Sequence, residues 1–215
     1  LFTLLFTYVE LLDKTYYLNH YYLVSILGVL LFCLPAHRAF SVDVRRKPHL
    51  YQDNIPQWCL FVLQLQLAIV YFMAGTAKLH ADWLLRAMPL RLWLPAQNQL
   101  PLIGHWLTVP ATAYLLSWAG ALYDLSIPFW LWWKRSRAFA YGLVLSFHLM
   151  TALLLPSIGV FPYMMIAFSL IFCSPQRQET WLRKLGGLTH RGARPVYFKG
   201  SALLKWGLVA FMLLQ

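Results

Sequence analysis

Residues Trp58 to Gly75, WCLFVLQLQLAIVYFMAG, run for eighteen positions without a charged side chain. A helix of about that length approaches the thickness of a bilayer's hydrocarbon core. In lipid no water satisfies the peptide groups, so such a run must close its hydrogen bonds within itself as a helix. Apolar runs recur on both sides of it. The pattern predicts spans at Leu1 to Leu12, Tyr21 to Leu34, Trp58 to Gly75, Ala111 to Trp133, Ala138 to Leu155, Gly159 to Cys173 and Ser201 to Gln215. Between them fall Pro35, the polar stretch 41–56, the Pro/Asn/Gln-rich stretch 95–110, Lys134 to Arg137, Pro156 to Ile158 and the Arg/Gly-rich stretch 175–200, where turn chemistry is expected. The expected fold class is all-α, a polytopic transmembrane helical bundle of about seven spans.

Composition agrees. The chain is 60% hydrophobic and 12% charged, with mean hydropathy +0.57; soluble domains carry about a quarter charged residues. The alternating ~10-residue segments of a membrane β-barrel do not occur. With no initiator Met and partial spans at both ends, residues 1–215 read as one transmembrane domain truncated on both sides. The net charge of +11 would raise nucleic acid as a partner in a soluble protein, but here the basic residues stand in loops and orient the chain in a bilayer. If the spans alternate, one set of loops holds thirteen Lys and Arg: Arg38, Arg45, Arg46, Lys47, Lys134, Arg135, Arg137, Arg177, Arg183, Lys184, Arg191, Arg194 and Lys199. The other set holds four, Lys14, Lys78, Arg86 and Arg91. The first set, with 176–200 as a basic loop, is therefore expected in the cytoplasm. Cys33, Cys59 and Cys173 have no metal-ligand spacing and read as small buried apolar residues. Residues 81–94, ADWLLRAMPLRLWL, are too polar to span and suit an amphipathic helix at the outer interface, or else an ordinary loop helix.

Ionisable groups inside a membrane protein are costly, so each needs a partner or a function. Asn19 and His20 stand among tyrosines at the outer end of the second span, as an amphipathic anchor or as part of a site. Lys78 closes the third span at the same face, as a snorkelling lysine or as a base. The small residues Ala74, Gly75, Thr76 and Ala77 before it let a helix or ligand approach closely. His148 lies about 15 Å deep in its span at 1.5 Å per residue, and must face protein or a cavity. Asp124, about 20 Å from the outer side, reads as a structural ion-pair member, with Arg38 or Arg137 as its cation. A lysine at the edge of low dielectric has its neutral amine favoured by desolvation, and a neutral amine is a base.

At these residues the sequence resembles the vitamin K-dependent γ-glutamyl carboxylase family, including its bacterial relatives with the "horizontally transferred transmembrane" (HTTM) domain. The likeness runs through Leu12-Asp13-Lys14-Thr15 with Asn19-His20, Ser41-Val42-Asp43, the block from Val70 to Trp83 (YFxAGxxKLxADW), Tyr123-Asp124-Leu125-Ser126, Phe147-His148, and Ser157 to Phe161 through Phe172 to Pro175. It implies Lys78 as the base that deprotonates a reduced quinone, His20 with Asn19 as orienting groups, and His148 assisting at the quinone. Tyr71, Phe72 and Met73 would line the quinone site. It further implies vitamin K hydroquinone or a menaquinol-type quinol as cofactor, dioxygen and carbon dioxide as co-substrates, and no metal. The partners would be the lipid bilayer, the isoprenoid quinol and a protein substrate; the place would be a multi-pass protein of a bacterial inner membrane, its pocket on the outer face. Ala77 stands where the animal enzymes have a second lysine, and those enzymes continue into a large extramembrane domain that handles the peptide substrate, so quinol oxygenation is implied more strongly than glutamate carboxylation.

Two other readings compete. One is a non-catalytic HTTM module that binds quinone or lipid for a redox partner. The other is a transporter or assembly factor, against which the absence of repeated halves argues. The enzymatic reading requires the Lys78 amine to share one cavity with the rings of His20 and His148.

Overall fold

A computed structural model describes residues 1–13, 15, 18–39, 41–52, 55–174 and 202–213. Lys14 and the basic stretch 176–200 lie outside them. Among the described residues all regular structure is helical: α1 (Phe2–Leu12), α2 (Asn19–Cys33), α3 (Val42–Arg46), α4 (Gln57–Thr76), α5 (Ala81–Leu84), α6 (Leu90–Trp93), α7 (Gly104–Leu107), α8 (Pro110–Trp132), α9 (Arg137–Leu154), α10 (Phe161–Ser169) and α11 (Ala202–Leu213), with short 3-10 turns between some of them. The ends follow local chemistry. Pro110 starts α8, where its missing N–H is no loss. Ser41 accepts from the Val44 amide and caps α3. Gly159, at φ +69, takes the left-handed turn that leads into α10.

Each predicted span corresponds to a helix, but the count of crossings does not carry over. Among the described residues two helices, α4 and α9, are long and apolar enough to cross a membrane, with mean hydropathy 1.8 and 1.4. The 15 residues of α2 reach about 22 Å at 1.5 Å per residue, short of the ~30 Å core. Helices α1, α10 and α11 are shorter still. Helix α8 is long enough at 23 residues, but Ser117, Tyr123, Asp124 and Ser126 make it more polar.

The chain divides into two units, Leu1–Gln64 with Ser174–Gln215, and Leu65–Cys173. In the first, α1 packs on α2. A Cβ on Gly28 would lie 2.5 Å from the Thr3 hydroxyl, so glycine permits that approach. Thr7 Oγ1 donates to Ser25 Oγ at 2.9 Å, and Ser25 Oγ donates to Glu10 Oε2 at 3.0 Å, which gives the acid between the two helices a partner.

In the second unit α8, α9 and α10 pack in sequence, with the Tyr141 hydroxyl donating to the Ser169 carbonyl at 2.6 Å. Pro128 lies inside α8 and has no N–H to offer the carbonyl four residues earlier, that of Asp124. The segment α5 to α7 covers the first turns of α8, around a core of Ala87, Leu90, Leu94, Leu107, Ala113 and Leu154. It corrects the single amphipathic helix expected over 81–94. Pro89 cannot continue a helical hydrogen-bond ladder, and Ala87 has φ 52, so the run breaks into α5 and α6. Leu90 and Leu94 turn into protein, while Leu85, Leu92 and Trp93 are exposed.

Candidate functional site

Lys78 stands just beyond α4, its N–H held by the Gly75 carbonyl at 3.0 Å. The side chain turns back along the helix instead of out to solvent. Nζ donates to the Ala74 carbonyl at 3.2 Å and to Asp124 Oδ2 at 2.5 Å, and lies 5.2 Å from the centroid of the Trp83 ring, within cation–π range. The Lys78 side chain is 19% exposed and that of Asp124 6%. Asp124 is thus ion-paired, but with Lys78 and not with Arg38 or Arg137. The Arg137 guanidinium donates to the Leu131 and Trp132 carbonyls. The expected difference in depth between Lys78 and Asp124 is also corrected. Trp83 Nε1 donates to the Ser117 carbonyl and Ser117 Oγ to the Trp83 carbonyl, both at 2.8 Å. With α5 tied there, α8 runs on past the end of α4, and its middle comes level with Lys78.

Beside the pair is a cavity of about 200 Å³. Val70, Tyr71 and Ala74 reach it from α4 and Lys78 from the turn just after, Gly120 and Asp124 from α8, and Phe147 and His148 from α9. Trp83, Trp93 and Phe161 add aromatic wall. Helical geometry sorts the α4 residues. Positions 71, 74 and 78 share one face at spacings of three and four, whereas Phe72 and Met73 are 51% and 55% exposed and do not line the cavity. They are corrected from quinone-site residues to outward-facing ones; Tyr71, 2% exposed, stays in the wall.

His148 is buried, 2% exposed, with Nε2 2.9 Å from the Tyr71 hydroxyl. The Tyr123 hydroxyl donates on to that of Tyr71 at 3.5 Å, and the Tyr123 ring stacks on Phe147 with centroids 3.9 Å apart. Nδ1 of His148 is buried with no hydrogen-bond partner among the described residues. Burying an unpaired polar atom costs about 1–3 kcal/mol, so the imidazole retains hydrogen-bonding capacity that the fold does not use.

Asn19 and His20 belong to the first unit. Asn19 is exposed at the start of α2, and His20 is buried with its ring edge-on to Tyr21 at 4.7 Å. Just before them the Thr15 hydroxyl and amide donate to Asp13 and hold its carboxyl below the usual carboxylate range. The cavity lining is drawn wholly from the second unit, so it brings together Lys78, His148 and Tyr71 but does not include Asn19 or His20; the expected sharing of one cavity is met for His148 and not for His20. Among the described residues no three His, Cys, Asp or Glu side chains gather as a metal-ligand set.

Sequence reasoning missed Trp83, Phe147 and Phe161 as cavity walls, and Asp124 as the partner of Lys78. A signal for the last was present, since a lone acid within a span requires a cation and Lys78 ends the neighbouring helix. Compared with known families, residues 1–177 match the HTTM domain. No solved structure matches the chain.

Proposed function

Because the chain belongs to the HTTM-domain family, a membrane-associated domain found in the vitamin K-dependent carboxylase family, we propose that its second unit binds a reduced isoprenoid quinone and ionises it for oxygenation. The observation that carries this reading is the Lys78 amine, turned inward against Asp124 at the wall of an apolar cavity.

The surroundings support a membrane setting. Only 22% of the apolar window of α9 and 39% of that of α4 are buried within the chain. Leu115, Leu122 and Phe129 on α8 and Phe139 and Leu153 on α9 are exposed, and exposed apolar area on this scale marks contact with lipid or another apolar surface. The reading is of a multi-pass protein with its basic loops cytoplasmic and the site toward the outer face.

The cavity fits a quinol's ring. Sites that enclose whole drug-sized ligands measure about 300–1,000 Å³, so a cavity of about 200 Å³ takes the head group and leaves an isoprenoid tail outside. Trp83, Phe147 and Phe161 offer aromatic faces to a planar ring. The bound quinol would supply the electrons that reduce dioxygen. The chain orients the ring, receives a hydroxyl proton at the Lys78–Asp124 pair, offers His148 as a second polar contact and keeps water out. Carbon dioxide and a glutamate-bearing protein substrate enter where that oxygenation is coupled to carboxylation, as in the vitamin K-dependent carboxylases.

The test is conversion of menaquinol or phylloquinol to its epoxide by the purified chain in lipid nanodiscs, followed chromatographically. Lys78→Ala should lower turnover by on the order of 10²-fold or more while helix content is retained. Epoxide formed at the unmodified rate by that variant would refute the reading. Quinol binding without turnover by the unmodified chain would favour a non-catalytic quinone-binding module.

A further inference from the structure

The loop between α2 and α4 carries positive charge that the fold does not use. Over 36–50, Arg38, Arg45, Arg46 and Lys47 stand against a single acid, Asp43. Arg45, Arg46 and Lys47 are exposed, and among the described residues none of the three has an ion-pair partner. A run of cations is ordinarily just a solvated face, but this one is held in a folded knot. Helix α3 packs against the 3-10 turns Ala36–Arg38 and Pro48–Leu50. Ser41 Oγ accepts from the Val44 amide at 3.1 Å and donates to the His37 carbonyl at 2.5 Å. The Arg38 carbonyl accepts at 3.0 Å from the amide of Gln52, a buried residue. Val44 is buried too and plugs α3 into the protein, while Asp43 and Arg45 on either side of it are exposed.

Two further observations set the depth of this knot. Val42 and Arg46, four apart on α3, share one side of it, and Val42 is 61% exposed, so an apolar side chain stands beside the cation. The chain then leads into α4, whose length and composition suit a membrane crossing. In the first turn of α4 the Trp58 ring has Lys205 Nζ 5.6 Å from its centroid; tryptophan and lysine side chains gather where lipid meets water. We propose that the loop 36–50 is a seat for the headgroup of an anionic phospholipid, its phosphate taken by Arg45, Arg46 and Lys47 and its acyl chains lying alongside Val42. Guanidinium groups offer paired donors to phosphate oxygens. A zwitterionic lipid brings its own cation and forfeits that attraction, and a soluble phosphate lacks the apolar half of the contact. The proposal rests on the membrane reading of the chain and not on the quinol reading, since the loop belongs to the first unit and contributes nothing to the cavity.

The test titrates the whole chain in a neutral detergent with phosphatidylglycerol, phosphatidylcholine or glycerol 3-phosphate and follows the melting midpoint, which a ligand of the folded state raises. Phosphatidylglycerol should raise it, and the other two at the same concentration should not. Arg45→Gln/Arg46→Gln should increase the half-saturating phosphatidylglycerol concentration by roughly 10–30-fold, as expected for two cations at a lipid surface. Lys134→Gln/Arg135→Gln removes the same charge from the loop between α8 and α9 and should leave that concentration unchanged. All four side chains are exposed, so both variants keep the packing of the chain. Equal weakening by the two pairs would overturn the seat, because the lipid would then be answering the net charge of +11 and not this loop. An equal response to phosphatidylcholine or to glycerol 3-phosphate, or no response of the unmodified chain to phosphatidylglycerol, would overturn it as well.

Discussion

Replacing Gly75 with alanine puts one methyl group where α4 meets α8. The new Cβ would fall 2.7 Å from Cγ and Cδ2 of Leu125 and 3.1 Å from its backbone nitrogen. The leucine side chain can rotate away. The nitrogen belongs to the helix and cannot, so the two helices must part by a few tenths of an ångström. Overpacking of this kind costs about 1–3 kcal/mol, offset by the roughly 0.5–1 kcal/mol that alanine gains over glycine within a helix. Gly142 in α9 supplies the control, because a Cβ there meets nothing within 4 Å and keeps the gain alone. Thermal unfolding in one detergent, followed by tryptophan fluorescence, separates the two variants. At about 2–4 °C per kcal/mol for a chain of this size, Gly142→Ala should raise the midpoint by ~1–4 °C, and Gly75→Ala should melt ~2–12 °C below it. Because Leu125 follows Asp124 directly, Gly75→Ala should also lower quinol turnover, and Gly142→Ala should not. Equal midpoint shifts in the two variants would refute the close approach of α4 and α8 on which the placing of Lys78 against Asp124 depends.

Tyr71→Phe removes the hydroxyl at Nε2 of His148 and should cost about 1–3 kcal/mol, with a changed ¹⁵N signature for that ring; an unaltered spectrum would mean that Tyr71 does not set the imidazole's tautomer. Ser117→Ala deletes one of the two reciprocal bonds to Trp83 and should cost about 0.5–1.5 kcal/mol, with faster amide exchange over 81–86. Exchange at the original rate would show that α5 is held by apolar packing alone.

The helices were legible because apolar length is a local signal. Helix α9 follows from its run between Arg137 and Leu154, and α8 from the run that Pro110 opens. The number of crossings was not legible, since hydropathy read along the chain does not show where a helix stops short, as α10 does after nine residues. The break at Ala87 and Pro89 was visible as a proline but not as a fold, because the turn there is fixed by Leu90 and Leu94 finding a core in distant residues such as Leu107 and Leu154. Within the site, Lys78 and His148 stood out as polar groups in apolar surroundings, whereas the pairing of Lys78 with Asp124 depends on how far α8 extends beyond α4, a tertiary relation with no local trace. Phe72 and Met73 were misplaced for a simpler reason: neighbours in sequence on a helix point in different directions, about 100° apart.

The proline within α8 has a bearing on the acid one turn before it. A proline at most other positions would strip its hydrogen from a carbonyl of no chemical interest, but Pro128 strips it from Asp124 itself. That residue therefore carries a main-chain dipole deprived of its usual helical donor as well as an ionised side chain. Two sources of negative potential are concentrated on a single α-carbon. A helix without this interruption would spend that carbonyl on its own hydrogen-bond ladder and leave the residue one acceptor group, its side chain.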